Sequence, residues 1–326
     1  MRLSVLGGGA WGTALAAHAA RAGLPVRMWI REPEVASAVN ERRENPTYLP
    51  GVELPGELRA TSVLAEALAD AETVLVVIPS EFCREIYRQA GRLAPAGASF
   101  VSATKGLEIG TLQRMTEVAA AEAKDRPLAA LSGPSFALEV AKSLPTAVVV
   151  AAADHDVAER VQRALATGSF RVYSSEDVVG VELAGALKNV IAIAAGIVDG
   201  LGYGHNTEAA LITRGLAEIS RLAVALGARP DTLAGLAGLG DLVLTCTGAL
   251  SRNRTVGRRL GLGQPLAEAC AGIHPEGVRT TLAACALAER EGIEMPIACQ
   301  MKAVLYEGKP PREALEELML RSLKRE

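Results

Sequence analysis

Leu3-Ser4-Val5-Leu6-Gly7-Gly8-Gly9-Ala10-Trp11-Gly12 is the stretch on which the fold turns. An apolar run, three glycines and the start of an alanine-rich segment predict a strand, a tight turn and a helix, in that order. Gly7, Gly9 and Gly12 make a G-x-G-x-x-G pattern. That pattern is weak alone, but between a strand and a helix in a first β-α-β unit it predicts a dinucleotide-binding turn. Gly7 permits the turn, Gly9 lets the backbone approach a pyrophosphate, and Gly12 lets the helix pack closely on the strand. Ala10 and Trp11 open a helix whose N-terminal N–H groups and positive partial charge favour an anion.

From there the pattern repeats. Leu3–Leu6, Val26–Ile30, Thr73–Ile78, Ser99–Ala103, Leu128–Leu131 and Ala147–Ala151 are near-continuous aliphatic runs, as expected of strands buried on both faces of a parallel sheet. Helical stretches at Trp11–Arg21, Phe82–Leu93 and Leu112–Lys124 fall between them. The reading is α/β, a Rossmann-type doubly wound parallel sheet. After Phe170–Tyr173 strand signals fade. A long helix is expected from near Asp177 to about Val198, and another after Asn206, read as its N-cap, ending before Gly227. The expected domains are 1–178, binding NAD(P), and 179–326, helical and substrate-binding.

The 326 residues fit two domains at roughly 100–200 residues each. A net charge of −3 excludes a general nucleic-acid binder, which carries a basic excess. Five widely spaced cysteines without C-x-x-C argue against a disulfide framework or zinc site and fit a reducing cytoplasm. The four scattered histidines have no metal-ligand spacing. The longest apolar stretch, Val190 to Val198, has nine residues, so no stable membrane insertion is expected.

Polar residues at predicted strand ends and in the second half are the candidate site. Arg31 stands near where an NAD-specific fold places an acid for the ribose 2′-hydroxyl; an arginine there accepts a 2′-phosphate. The alternatives are a solvated charge, a stack on adenine, or Glu32 serving the 2′-hydroxyl, so NADP or NAD is expected. Lys105, in Thr104-Lys105-Gly106, and Ser132-Gly133-Pro134-Ser135-Phe136-Ala137 follow later strands; Ser135 reads equally as an anion donor or a helix cap. Lys188 and Asn189 interrupt an apolar helix. A desolvated lysine exchanges protons near neutrality, whereas a snorkelling one does not. Asp241 lies after a glycine-rich turn and is suited to hold Lys188 or to accept from a hydroxyl. Ser251-Arg252-Asn253-Arg254-Thr255 is suited to a phosphate monoester, or is a capped, solvated helix start.

Taken together, Gly7–Gly12, Thr104–Gly106, Ser132–Ala137, Leu187–Val190, Gly238–Gly248 and Ser251–Thr255 resemble, along essentially the whole chain, the bacterial NAD(P)-dependent glycerol-3-phosphate dehydrogenases. The resemblance implies interconversion of sn-glycerol 3-phosphate and dihydroxyacetone phosphate for phospholipid synthesis, in the cytoplasm, with a homodimer expected. It implies a Rossmann N-terminal domain, an all-helical C-terminal domain and an active site between them. It assigns Lys188 as proton acceptor. Substrate contacts fall on Lys105, Gly133, Ser135, Lys188, Asp241, Ser251, Arg252 and Asn253. Cofactor contacts fall on Gly7, Gly9, Ala10, Trp11, Gly12, Arg31, Lys105, Ala137, Arg252 and Glu276. Ile273-His274-Pro275 stands before Glu276 where relatives commonly have valines. The partner is a small phosphorylated three-carbon molecule; no metal is expected. The competing readings are a two-domain reductase of a hydroxy or keto acid, and a redox sensor that binds NAD(P)H without catalysis.

Overall fold

A computed structural model describes residues 1–321. The chain divides into two compact units. One comprises Met1–Glu108 with Gln113–Glu182; the other comprises Ile109–Leu112 with the chain from Leu183 onward.

The first unit holds one eight-stranded sheet: β1 Leu3–Leu6, β2 Val26–Trp29, β3 Arg59–Thr61, β4 Thr73–Val76, β5 Ser99–Ser102, β6 Leu128–Ser132, β7 Thr146–Ala151 and β8 Phe170–Ser175. Its order is β3-β2-β1-β4-β5-β6-β7-β8. Helices α1 Ala10–Arg21, α2 Pro33–Arg42, α3 Leu64–Leu68, α4 Ser80–Leu93, α5 Met115–Glu122, α6 Ala137–Ala141 and α7 His155–Leu165 lie between the strands. β1, β4 and β5 are buried along their whole length, which is why they read as unbroken apolar runs. Two apolar clusters flank the sheet. One packs β1 and β2 against α1, α2 and α7; the other joins β4 and Phe100 to Tyr87, Met115 and Val118 of α4 and α5. This is the doubly wound Rossmann-type arrangement.

Four readings need correction. The sheet is not wholly parallel: β6 and β7 run antiparallel. The chain between them forms only the short α6, which turns back onto α1, where Arg21 donates to the Ala141 carbonyl at 2.6 Å, instead of crossing the sheet. The strand β3 went unseen because it is three residues at the edge, only one of them buried. The third helical stretch starts at Met115, not Leu112, because Leu112 sits at φ +60°; Glu117 closes its start by accepting from the Arg114 N–H at 2.8 Å and from the Arg114 guanidinium at 2.9 Å. The helix expected after Asn206 begins one residue before it, at His205, with Gly204 as an extended N-cap.

The second unit is helical: α8 Val178–Gly200, whose first residues belong to the first unit, α9 His205–Ala225, α10 Pro230–Ala234, a π-helical turn Leu236–Gly240, α11 Asp241–Thr247, α12 Arg252–Gly261, α13 Leu266–Ala269, α14 Glu276–Glu291, α15 Pro296–Tyr306 and α16 Pro311–Met319. Asp177 caps α8 by accepting from the Gly180 N–H at 2.8 Å. With 23 residues and a mean hydropathy of 1.7, α8 is long and apolar enough to cross a bilayer, but its apolar window is wholly buried within the protein. Glycines let α12 lie directly on α8. A Cβ on Gly257 would stand 2.0 Å from the Ile193 carbonyl oxygen, and one on Gly196 2.1 Å from that of Arg254. That close approach brings the residues at the start of α12 beside the middle of α8.

Candidate active site

In the first unit the sheet order reverses at β1, which pairs with β2 on one side and β4 on the other. The glycine turn leaves the carboxyl end of β1 at this switch point, where open α/β sheets bind ligands. Gly7 has φ +128°, and a Cβ there would stand 2.2 Å from the Val77 carbonyl oxygen. A Cβ on Gly12 would stand 2.1 Å from the Gly7 carbonyl oxygen, so α1 packs on the turn only as glycine allows. Gly9 differs: nothing lies within 4 Å of its Cβ position. The space is open at the N-terminus of α1, whose N-cap Gly9 offers no side-chain acceptor. Trp11 adds a buried indole Nε1–H with no partner among the described residues. Open space, bare helix N–H groups and an orphaned donor fit a pyrophosphate-bearing dinucleotide.

Sequence reasoning missed the brace beneath this turn. Asn45, fully buried, donates to the Gly8 carbonyl and to Thr13 Oγ1, both at 2.8 Å. A lone asparagine in a loop 37 residues from Gly8 carries no local signal for this. Arg31 lies just past β2, with its guanidinium in solvent and on Glu32 Oε1 at 2.8 Å. Glu32 also accepts from the Tyr48 hydroxyl at 3.3 Å. Any group claiming Arg31 therefore competes with Glu32.

Lys105, Gly133 and Ser135 do converge. Lys105 Nζ donates to the Gly133 carbonyl at 2.8 Å and lies 3.4 Å from Ser135 Oγ, which itself donates to that carbonyl at 2.9 Å. Gly133 has φ +133° and faces Val148, with no room for a Cβ. Ser135 does not cap α6: the N-cap is Phe136, without a side-chain bond. The hydroxyl is turned to the lysine instead. Ala137 opens α6, partly buried against the core.

In the second unit Lys188 of α8 is 5% exposed. Its Nζ donates to Asp241 Oδ1 and, at 2.6 Å, to Thr245 Oγ1. Asp241 is 1% exposed. Asp241 and Thr245 lie four apart on α11, hence on one face, and the Thr245 hydroxyl also bonds the Asp241 carbonyl at 2.6 Å. The amine does not snorkel. Thr245 was missed by sequence reasoning; one threonine in an apolar helix is ordinarily only a back-bonded residue.

The Ser251–Thr255 cluster splits into separate roles. Ser251 caps α12, accepting from the Arg254 N–H at 3.2 Å, as the helix-start reading has it. The two guanidinium groups do not act together, because Arg254 pairs with Asp199 at 3.1 Å. Arg252 is exposed and makes no side-chain hydrogen bond or ion pair among the described residues. Asn253 is buried and ties three helices: its Nδ2 donates to Asn189 Oδ1 of α8, and its Oδ1 accepts from the Gly277 N–H of α14, each at 2.9 Å. The side chain keeps one amide N–H beyond these. Glu276 stands next to that amide, in the first turn of α14.

Comparison with known proteins covers the whole described architecture. The family model for the N-terminus of NAD-dependent glycerol-3-phosphate dehydrogenase matches residues 2–158, and that for its C-terminus matches residues 177–316. A glycerol-3-phosphate dehydrogenase (NAD(P)+) of Geobacter sp. strain M21 is 52% identical over 330 aligned positions, spanning 100% of this chain and 98% of that one. The crystal structure of glycerol-3-phosphate dehydrogenase from Coxiella burnetii is 42% identical, with a TM-score of 0.95 over 98% of this chain and 99% of that chain. A ketopantoate reductase from Ralstonia eutropha, 16% identical over 97% of this chain and 100% of that one, shares the fold alone with a TM-score of 0.63.

Proposed function

The chain belongs to the NAD-dependent glycerol-3-phosphate dehydrogenases, and from that membership we propose that it interconverts sn-glycerol 3-phosphate and dihydroxyacetone phosphate with NAD(P)(H), feeding glycerophospholipid synthesis. The observation that carries the chemistry is the buried amine of Lys188, held by a carboxylate and a hydroxyl. Residues 1–178 bind the dinucleotide and residues 179–326 hold the substrate.

The reaction has a hydride half and a proton half. When bound, the nicotinamide supplies the hydride chemistry. The protein's part there is to bind: Gly7, Gly9, Ala10, Trp11 and Gly12 receive the pyrophosphate at α1, with Arg31, Lys105, Ala137, Arg252 and Glu276 as further contacts. For the proton half, Lys188 Nζ takes the proton of the C2 hydroxyl in oxidation and returns it to the ketone oxygen in reduction. Asp241 steadies the ammonium once it has formed, and positive charge beside the developing alkoxide lowers the barrier. Thr245 fixes the direction in which Nζ points.

The substrate phosphate goes to Arg252, whose guanidinium has its donors available for an anion. Ser251 and Asn253 each keep one hydrogen to donate beside it. Lys105, Gly133 and Ser135 complete the contacts to the small phosphorylated substrate. Five free thiols support residence in the cytoplasm.

Oxidation of NADPH and of NADH by dihydroxyacetone phosphate, run side by side, tests the proposal. Turnover with neither cofactor removes it, and turnover with a keto acid in place of the phosphorylated ketone returns the competing reductase reading. In the same assay Arg31→Asp should shift preference from NADPH toward NADH by about tenfold, the worth of one exposed charged contact. An unaltered ratio shows that Arg31 does not read the 2′-phosphate.

A further inference from the structure

Asn45, which neither half of the reaction uses, is fully buried beneath the glycine turn, and both polar atoms of its amide are engaged. Oδ1 accepts from the Tyr48 N–H at 3.0 Å. The two Nδ2 hydrogens go to the Gly8 carbonyl and to Thr13 Oγ1, each at 2.8 Å. That set fixes which way the amide lies, since a flipped amide would turn its oxygen to the Gly8 carbonyl. The segment that carries it is itself pinned. The Leu49 N–H donates to the Asn45 carbonyl at 3.0 Å, and Leu49, Val52 and Leu54 are buried in the core.

The consequence lies one bond away. Gly8 and Gly9 are joined by a trans peptide, so the Gly8 C=O and the Gly9 N–H point in opposite directions. Two glycines in succession leave that peptide plane free to turn over, because neither carries a Cβ to oppose it. Asn45 holds the carbonyl side in the interior, and the N–H side therefore faces away from it. Thr13 Oγ1 adds a longer bond to the same carbonyl, at 3.3 Å. Gly8 is lodged on Ile30, whose Cγ2 would stand 2.6 Å from a Cβ there.

We propose that Asn45 is a positioning residue for cofactor binding: it anchors the Gly8 carbonyl and thereby aims the Gly9 N–H at the pyrophosphate of NAD(P)(H). The inference rests on the assignment of this turn to the dinucleotide. Being fully buried, Asn45 touches neither cofactor nor substrate. It acts by keeping a donor oriented in advance, so that binding does not first have to turn a peptide and hold it. Its effect therefore belongs to cofactor affinity. The hydride step stays with the nicotinamide and the proton step with Lys188, and neither depends on this amide.

The test compares two variants of the full-length enzyme by fluorescence titration with NADPH and by turnover with dihydroxyacetone phosphate. Asn45→Ala removes the anchor. It should raise both Kd and KM for NADPH about tenfold, the worth of one hydrogen bond to a charged group, with kcat at saturating NADPH within about twofold of the parent. Thr13→Val loosens the same place but leaves Asn45 on Gly8, and should keep the Kd for NADPH within about twofold. A general loss of packing would move both variants alike. The proposal is overturned if Asn45→Ala binds NADPH as tightly as the parent, if Thr13→Val loses as much affinity as Asn45→Ala, or if kcat falls while KM stays. A parent enzyme that binds neither NADPH nor NADH overturns it together with the dinucleotide assignment, whereas a parent that binds beside an unaffected Asn45→Ala overturns it alone. Where a variant fails to fold, a crystal structure of the unaltered enzyme with NADPH decides. The Gly9 N–H should meet a phosphate oxygen while the Gly8 carbonyl stays on Asn45; a turned-over peptide, or a phosphate that the Gly9 N–H does not reach, overturns the proposal.

Discussion

The glycine turn of the first unit and the amine of the second make their sites in opposite ways. At Gly7–Gly12 the chemistry belongs to the backbone. Side chains are removed so that N–H groups, a helix end and an open space remain. At Lys188 the chemistry belongs to side chains driven into an apolar interior, where an amine, a carboxylate and a hydroxyl satisfy one another across 53 and 57 residues of sequence. The first is a site built by omission and the second by enforced company. They should therefore fail differently: the turn by losing its ligand or its packing, the amine by breaking a buried ion pair.

The largest effect is expected at the amine. Lys188→Ala should lower turnover by at least about a hundredfold, the usual scale for losing a general acid–base. It also breaks the buried ion pair with Asp241, 1% exposed, which costs about 3–5 kcal/mol of stability in chemical denaturation. Lys188→Met combined with Asp241→Leu should recover much of that stability and none of the activity. Near-wild-type turnover in the single variant removes Lys188 from the mechanism, and a double variant no more stable than the single one breaks the buried-pair account.

A second buried charge in the same unit gives the next effect. Glu218 of α9 accepts from the Ile297 and Ala298 N–H groups at the start of α15, and burial pushes its carboxyl up to about 7 despite those bonds. Between the ordinary glutamate value near 4.3 and about 7, the folded chain holds a proton that the unfolded chain has released. Stability attributable to this group therefore falls as pH rises through that window, by up to about 4 kcal/mol, and is level above it. Glu218→Gln keeps a carbonyl acceptor for α15 and should flatten that part of the profile in pH-dependent urea titrations. An unchanged slope would place the proton elsewhere.

The same contrast explains what the sequence disclosed. The turn was legible because three glycines within six residues carry the whole constraint, and because β1, β4 and β5 are buried on both faces and so are written as unbroken apolar runs. Lys188 was visible as an anomaly in an apolar helix, but its company was less so. Asp241 announced itself by the glycines before it, whereas Thr245 and the Asn45 brace have no local pattern, since only the fold brings them to their partners. The antiparallel β7 was hidden because an aliphatic run says nothing of strand direction. In the arginine cluster adjacency in sequence is not adjacency in use: α12 turns Arg254 to Asp199 and leaves Arg252 in solvent.

That division of the cluster yields a pair of variants. Arg252→Ala removes a side chain that holds nothing in the fold, so stability should stay within about 0.5 kcal/mol. The KM for dihydroxyacetone phosphate should rise about tenfold to a hundredfold, the worth of a charged hydrogen-bonded contact. Asn253→Ala should instead cost about 1–3 kcal/mol of stability, because it removes the acceptor of the buried Gly277 N–H and the donor to Asn189 Oδ1. If Arg252→Ala leaves KM unmoved, the phosphate is held elsewhere; if Asn253→Ala is as stable as the parent, the three-helix tie carries no weight.

The smallest changes are expected at the turn, where two alanines separate packing from binding. Gly12→Ala drives a methyl to within 2.1 Å of a backbone oxygen that has no room to move, so overpacking should cost about 1–3 kcal/mol and cofactor affinity should fall with it. Gly9→Ala places the same methyl in open space, at φ −64° and ψ 170°, a conformation alanine adopts freely. Its stability should change by no more than about 1 kcal/mol, since an N-cap glycine gives way to a poorer capping residue. Its affinity for NADPH, read by fluorescence titration, should nonetheless fall about tenfold, because the methyl stands where a pyrophosphate must approach. A Gly9→Ala protein that binds as tightly as the parent would mean that the open space is not the ligand's, and the contrast between a site made by omission and one made by company would lose its first half.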